Sequence, residues 1–247
     1  MELSPEGFPL GATRRSLKVE TWIVMLAFLF PAVTSALIVL VQHISGVADI
    51  ARFPTIVSDP VWNMVLGILQ YLTVAAAVPV ALFLLWRTGQ SPRSLGLGKP
   101  SLLEDLGPGL GLAVAGFLCE IVLVIPFAPL LKSHPGLFNK ITVSHVPAYY
   151  VIWGIALSAI TSVTEEVFVN GYLLTRLEQL RWAPGPALVF SLVLRTSYHV
   201  YYGIGFLFTV PLGYFVTRSF QKHHRLNRAI AAHFIYDAVL TTISILT

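Results

Sequence analysis

The stretch TSVTEEVFVNGYL, Thr161 to Leu173, sets two adjacent glutamates inside a run that is otherwise apolar. In hydrocarbon, Glu165 and Glu166 each cost several kcal/mol to keep ionised without a partner. Either this run lies outside a membrane, or distant parts of the chain supply what the two acids need. The rest of the sequence decides between these alternatives.

The surroundings are membrane. Of 247 residues, 55% are hydrophobic and 11% charged, with a mean hydropathy of +0.75; a soluble domain carries about 25% charged residues. The apolar residues come in runs long enough to cross a bilayer rather than in short periodic stripes. Such runs lie at about Thr21 to Gln42, Val61 to Trp86, Leu106 to Leu131, Val146 to Leu174, Pro184 to Tyr201, Gly205 to Phe220 and Ala229 to Leu246. The chain therefore reads as an all-α, polytopic membrane bundle of about seven transmembrane helices, with six to eight allowed by how the runs are divided. The fifth and sixth runs are short and close together, which admits a re-entrant or broken arrangement.

Charge placement orients the bundle. With the N-terminus in the cytoplasm, twelve of the sixteen Lys and Arg residues, Arg176 among them, fall on the inside. Three fall outside (Arg52, Lys132 and Lys140), and Arg195 lies within a span. The positive-inside bias thus predicts a cytoplasmic segment over residues 1–18 and a single membrane domain over 19–247. Thr13-Arg14-Arg15-Ser16 resembles a twin-arginine export signal, but the apolar run after it is long and no A-x-A site closes it, so it reads as a first, uncleaved span. The net charge of +4 carries no sign of a nucleic-acid partner. Cys119, the single cysteine, excludes an intrachain disulfide and reads as core filler. The stretch Thr88 to Ser101, rich in Gly, Pro and Ser, reads as a loop riding at the membrane interface.

Seven ionisable residues fall within spans: Glu120, Glu165, Glu166, Arg195, His199, His233 and Asp237. Arg195 and His199 are four apart, as are His233 and Asp237 and also Glu166 and Asn170, so on helices each pair shares a face. Three polar faces satisfy one another only by meeting inside the bundle. A carboxylate desolvated there suits a general base that activates water. One histidine can orient that water, and another can polarise a carbonyl and stabilise an oxyanion. These are the parts of a peptide-bond hydrolase with water as nucleophile. Glu120 has no partner at helical spacing, and Tyr198, Tyr201 and Tyr202 read as interfacial aromatics.

These residues resemble the CAAX protease and bacteriocin-processing (CPBP, or Abi) family of intramembrane glutamic endopeptidases. The family pattern is E-E-x-x-x-R, then F-x-x-x-H, then H-x-x-x-N/D. Here the motifs stand as EEVFVN (Glu165 to Asn170), RTSYH (Arg195 to His199) and HFIYD (His233 to Asp237), and the resemblant core runs from about residue 146 to 247. The resemblance implies that Glu165 and His199 activate the water, that His233 and Asp237 stabilise the oxyanion, and that Glu166 supports them. It also implies a membrane-associated protein or peptide as substrate, a plasma-membrane location in a prokaryote, and no cofactor. Two positions depart from the pattern: Asn170 stands where the family has arginine, and Arg195 where it has phenylalanine. We expect a transposition, in which the guanidinium now comes from the fifth span and forms a bidentate pair with Glu166.

Other functions fit parts of the pattern. Two histidines and two carboxylates could ligate zinc, although H-E-x-x-H is absent and Arg195 would oppose a dication. A chain that keeps the family fold could serve as a non-catalytic scaffold, immunity factor or subunit of a membrane complex. A transporter needs paired halves with broken helices, and none is visible.

Overall fold

A computed structural model of the protein describes residues 12–45, 57–134 and 148–246. Every regular element among them is helical: α1 (Arg14–Ile44), α2 (Pro60–Ala75), α3 (Ala77–Arg87), α4 (Gly107–Val124), α5 (Ala128–Ser133), α6 (Tyr150–Glu165), α7 (Leu174–Gln179), α8 (Pro184–Ser197), α9 (Val210–His223) and α10 (Leu226–Leu246). Five continuous helical stretches are long and apolar enough to cross a membrane: Arg14–Gln42, Pro60–Arg87, Leu102–Ser133, Tyr150–Gln179 and Leu226–Leu246. The protein is a polytopic helical membrane protein. Arg52 and Lys140, two of the charges assigned to the outside, lie beyond the described residues.

Prolines divide the second and third stretches, while Pro31 lies inside an unbroken α1. Pro79 has no N–H to give the carbonyl of Ala75, and the helix breaks at Ala76 between α2 and α3. Pro108, Pro126 and Pro129 each sit in the first turn of a segment of the third stretch, where a missing N–H costs least. The fourth stretch contains no proline. It runs from α6 through a π-helical segment, Glu166–Leu173, into α7.

That fourth stretch is the axis of the bundle. Half of its central window is buried, against 28% or less in the other four. On one side α6 packs on α10 and on another on α2, while α4 lies across α10 and α9, and α8 lies along α9. Gly154 lets α6 and α10 close up: a Cβ there would stand 2.3 Å from Thr241 Cγ2. The main core gathers Met25 and Phe28 of α1, Leu85 of α3, Phe168 and Tyr172 of the π segment, Val216 of α9 and Leu226 of α10. Phe28 stacks on Phe168 at a centroid distance of 4.4 Å. The outer faces of α1, α2 and α4 expose Leu, Ile, Val and Phe side chains, as lipid-facing surfaces do. Cys119 belongs to that outer face, so it does not fill the core as the sequence suggested.

The fifth and sixth runs are shorter as helices than as apolar sequence. α8 and α9 have 14 residues each, about 21 Å of axis against a hydrocarbon thickness near 30 Å. Between them the chain turns through 3₁₀ segments at Val200–Tyr202 and Ile204–Thr209, joined by Gly203 at φ +60°. Such irregular backbone is tolerated at membrane depth where protein surrounds it, and here α1 packs against the Val200–Tyr202 turn. The Thr88–Ser101 stretch does more than ride at an interface. Leu95 is fully buried, and the carbonyls of Gly96 and Gly98 accept hydrogen bonds from Leu226 N and Asn227 Nδ2 at 2.9 Å, fastening the loop to the start of α10.

Candidate active site

Glu165 closes α6 and Glu166 opens the π segment. The wider i→i+5 turn is uncommon and recurs at functional sites. All eight residues from Glu166 to Leu173 are buried, because α1, α3, α8 and α10 surround the segment. The two glutamates consequently differ. The Glu166 side chain is 0% exposed and that of Glu165 is 17% exposed.

Glu166 is the hub of the cluster. Its Oε1 lies 2.8 Å from His233 Nδ1 on α10 and 2.9 Å from Arg195 Nη2 on α8. Its Oε2 accepts from Asn170 Nδ2 one turn on, and Asn170 Oδ1 in turn accepts from Thr217 Oγ1 of α9 at 2.8 Å. One carboxylate thus ties together the central helix, α8, α9 and α10, which answers how the bundle tolerates a fully enclosed acid. His233 Nε2 stands 3.4 Å from Asp237 Oδ2, so both ring nitrogens face carboxylates.

Arg195 reaches Glu166 across the helix interface, but not as a bidentate pair. Its Nη1 lies 3.5 Å from Glu165 Oε2 while its Nη2 addresses Glu166, so the fork is divided between the two acids. The second oxygen of Glu166 is already taken by Asn170, which leaves the arginine one oxygen there. Nη2 meets its carboxylate at ion-pair distance without the alignment of a hydrogen bond, and Arg195 Nε has no hydrogen-bond partner among the described residues. Gly213 makes room for the side chain, since a Cβ there would approach Arg195 Cδ to 2.9 Å.

His199 does not share a helical face with Arg195, because α8 ends at Ser197 and His199 lies in the turn beyond. Its Nδ1 is 2.8 Å from the backbone carbonyl of Arg195, one of the carbonyls a helix end leaves unsatisfied. A carbonyl only accepts, so Nδ1 carries the proton and the Nε2 of the neutral ring keeps its lone pair. Among the described residues no hydrogen bond or ion pair joins His199 to Glu165, yet the charges of Glu165 and Asp237 both act on the imidazole. Glu165 acts likewise on His233.

Two participants, Tyr198 and Thr217, are not among the defining residues of the motifs. Tyr198, read as an interfacial aromatic, is buried and its hydroxyl donates to Glu165 Oε2 at 2.8 Å. Thr217 carries only a weak sequence signal, a hydroxyl in an apolar span opposite an intramembrane asparagine. Glu120 accepts a hydrogen bond from Tyr236 of α10, a partner that no spacing within its own helix could reveal. Among the described residues no group of three or more His, Cys, Asp or Glu side chains is disposed to hold a metal ion; the space between the two glutamates is filled by the Arg195 guanidinium.

No curated protein and no solved structure matches the chain. Residues 147–239 match the family model of the type II CAAX prenyl endopeptidase, Rce1-like. The matched span contains every residue of the cluster, from Glu165 to Asp237. The matched portion, residues 147–239, is the part of the chain that builds this site, and the match agrees with the CPBP resemblance of the three motifs.

Proposed function

We propose that the protein is an intramembrane endopeptidase in which Glu165, with His199, activates a water molecule that attacks a peptide bond of a membrane-associated protein or peptide. The observation that carries this reading is the division between the adjacent acids. Glu166 is enclosed and saturated by His233, Arg195 and Asn170, whereas Glu165 is partly exposed and, among the described residues, holds Tyr198 and a looser contact with Arg195. A general base must reach its water, and of the two only Glu165 has that access.

The remaining roles follow from the contacts. His199 is fixed by the Arg195 carbonyl in the tautomer whose Nε2 can accept a hydrogen bond from the water and orient it, while Glu165 takes the proton. When the carbonyl carbon of the substrate becomes tetrahedral, the charge on its oxygen needs a donor, and the proposed one is His233 Nε2–H, which turns to that oxygen from Asp237, 3.4 Å away. Glu166 positions His233 through Nδ1, as a carboxylate behind a histidine commonly does. The collapse of the intermediate requires a proton on the leaving amine, and Glu165 returns the one it took. The scheme needs no metal. The charge asymmetry supports a cytoplasmic N-terminus, and the resemblance supports a substrate entrance on that side of a prokaryotic plasma membrane.

The division of the Arg195 fork favours a second reading. A guanidinium 3.5 Å from Glu165 engages the carboxylate oxygen that would have to address the water, which suits a non-catalytic scaffold that keeps the family fold. Comparison of membrane peptides from cells expressing wild type and Glu165→Gln separates the two. A peptidase loses its cleavage products, by about 10²- to 10⁴-fold in rate, while a scaffold retains its full phenotype. Chelation followed by metal analysis tests the remaining point, since cleavage that disappears with a stoichiometric zinc ion would overturn the glutamate mechanism.

A further inference from the structure

The α9–α10 end of the bundle carries more positive charge than its own acids neutralise. Glu104 and Asp105, in the turn before α4, are both spent on Arg225: Asp105 takes Arg225 Nε and Nη2 at 2.7 Å each, and Glu104 takes Nη1. Arg218, Lys222 and Arg228 are left without a carboxylate among the described residues. Arg218 Nη1 donates to Gln221 Oε1 at 3.0 Å and Arg228 Nε to the Glu104 carbonyl at 2.9 Å, both neutral acceptors.

These three cations, with His223, line one groove of about 520 Å³ whose lining includes no acidic residue. Its apolar part is formed by Pro108 and Leu112 of α4 and by Phe215 of α9. From Lys222 back to Phe215 is seven residues of helix, about 10 Å of axis, directed into the apolar span. A second groove of about 540 Å³ between α1 and α3 also has two arginines, Arg15 and Arg87, but it includes Glu20. The two grooves therefore differ in net charge as well as in place.

We propose that the α4–α9 groove is a binding site for an anionic phospholipid, with the headgroup phosphate held by Arg218, Lys222 and Arg228 and the first part of an acyl chain lying on Leu112 and Phe215. Charge complementarity selects an anion, and the apolar continuation down two membrane helices selects a lipid over a free phosphate or an acidic peptide. Basic residues beside a bilayer attract anionic headgroups at about 1 kcal/mol each.

The test uses the full chain in nanodiscs of phosphatidylcholine with increasing phosphatidylglycerol, reading bound lipid by native mass spectrometry and stability by thermal unfolding. Wild type is expected to retain phosphatidylglycerol selectively and to unfold at higher temperature as its fraction rises. Lys222→Gln should weaken that retention about fivefold, and Arg218→Gln with Lys222→Gln about twenty-fivefold, with unfolding in pure phosphatidylcholine unchanged because these side chains are exposed. Lys222→Arg should keep the selectivity, and Arg14→Gln, at a distant exposed position of α1, should leave it intact. Equal retention of the two lipids, undiminished retention by the double variant, or displacement of phosphatidylglycerol by equimolar inorganic phosphate or an acidic peptide would each overturn the proposal. None of these readouts depends on peptidase activity.

Discussion

Two arginines, Arg176 and Arg195, are buried in this bundle, and their surroundings differ in kind. Arg176 gives Nη1 to Gln90 and Gln179 at 2.6 and 2.9 Å and Nη2 to Glu20 at 2.6 Å, and its guanidinium lies over the Tyr172 ring. That is one acid, two neutral amides and an aromatic face, with no histidine. Arg195 faces two adjacent acids, one of which also holds His233. The first arrangement fastens α1, the loop after α3 and the central helix together; the second gathers two acids, an imidazole and a cation at one spot. Burial of an arginine therefore does not by itself mark a functional site. The two adjacent acids and the imidazole around Arg195 are what support the proposal for that cluster.

This contrast can be broken most forcefully by removing each arginine. Arg195→Ala and Arg176→Ala each strand an acid in protein, and each is expected to cost about 3–5 kcal/mol of stability, measured by denaturant unfolding in detergent. The specific activity of the folded fraction should then diverge, with Arg176→Ala retaining cleavage and Arg195→Ala losing it. Equal loss in both would mean that the Glu20 cluster belongs to the chemistry.

A smaller effect sharpens the comparison. Asn170→Arg placed in the Arg195→Ala background returns a guanidinium to Glu166 from its own helix, and partial recovery of both stability and cleavage is expected. Absence of any recovery would give Arg195 a role beyond neutralising Glu166, through its second contact with Glu165.

The smallest effect concerns Glu165 alone. Tyr198→Phe removes one hydrogen bond from an ionised acceptor, worth about 1.5–3 kcal/mol at most, and cleavage is expected to fall by about tenfold to a hundredfold with the fold intact. A variant as active as wild type would show that the open acid needs no such donor.

How much of this was legible follows the same physics. The meeting of Glu166, Arg195 and His233 could be anticipated, because intramembrane charges require partners and few candidates exist. Arg176 could not: a cation near the end of an apolar run reads as a cytoplasmic flank, and only the fold shows Glu20 and Gln90 arriving from 156 and 86 residues away. Tyr198 was hidden for a related reason, since a tyrosine close to other tyrosines has the composition of an interfacial belt whichever way it points. The end of α8 at Ser197 carries no Gly or Pro signal, so the sequence reads His199 as part of a helix that stops before it. The π turn has no compositional mark at all.

That wide turn has a last consequence, for chain length rather than residue type. Between Glu165 and Arg176 the spacing is set by a stretch wound more loosely than its neighbours, so shortening it by one residue would swing Arg176 about 100° round the axis and away from Glu20, while the acids upstream stayed in place. Families of such proteins should therefore accept exchanges within Glu166–Leu173 more readily than a deletion, and an alignment gap falling there would mark a bundle joined in another way.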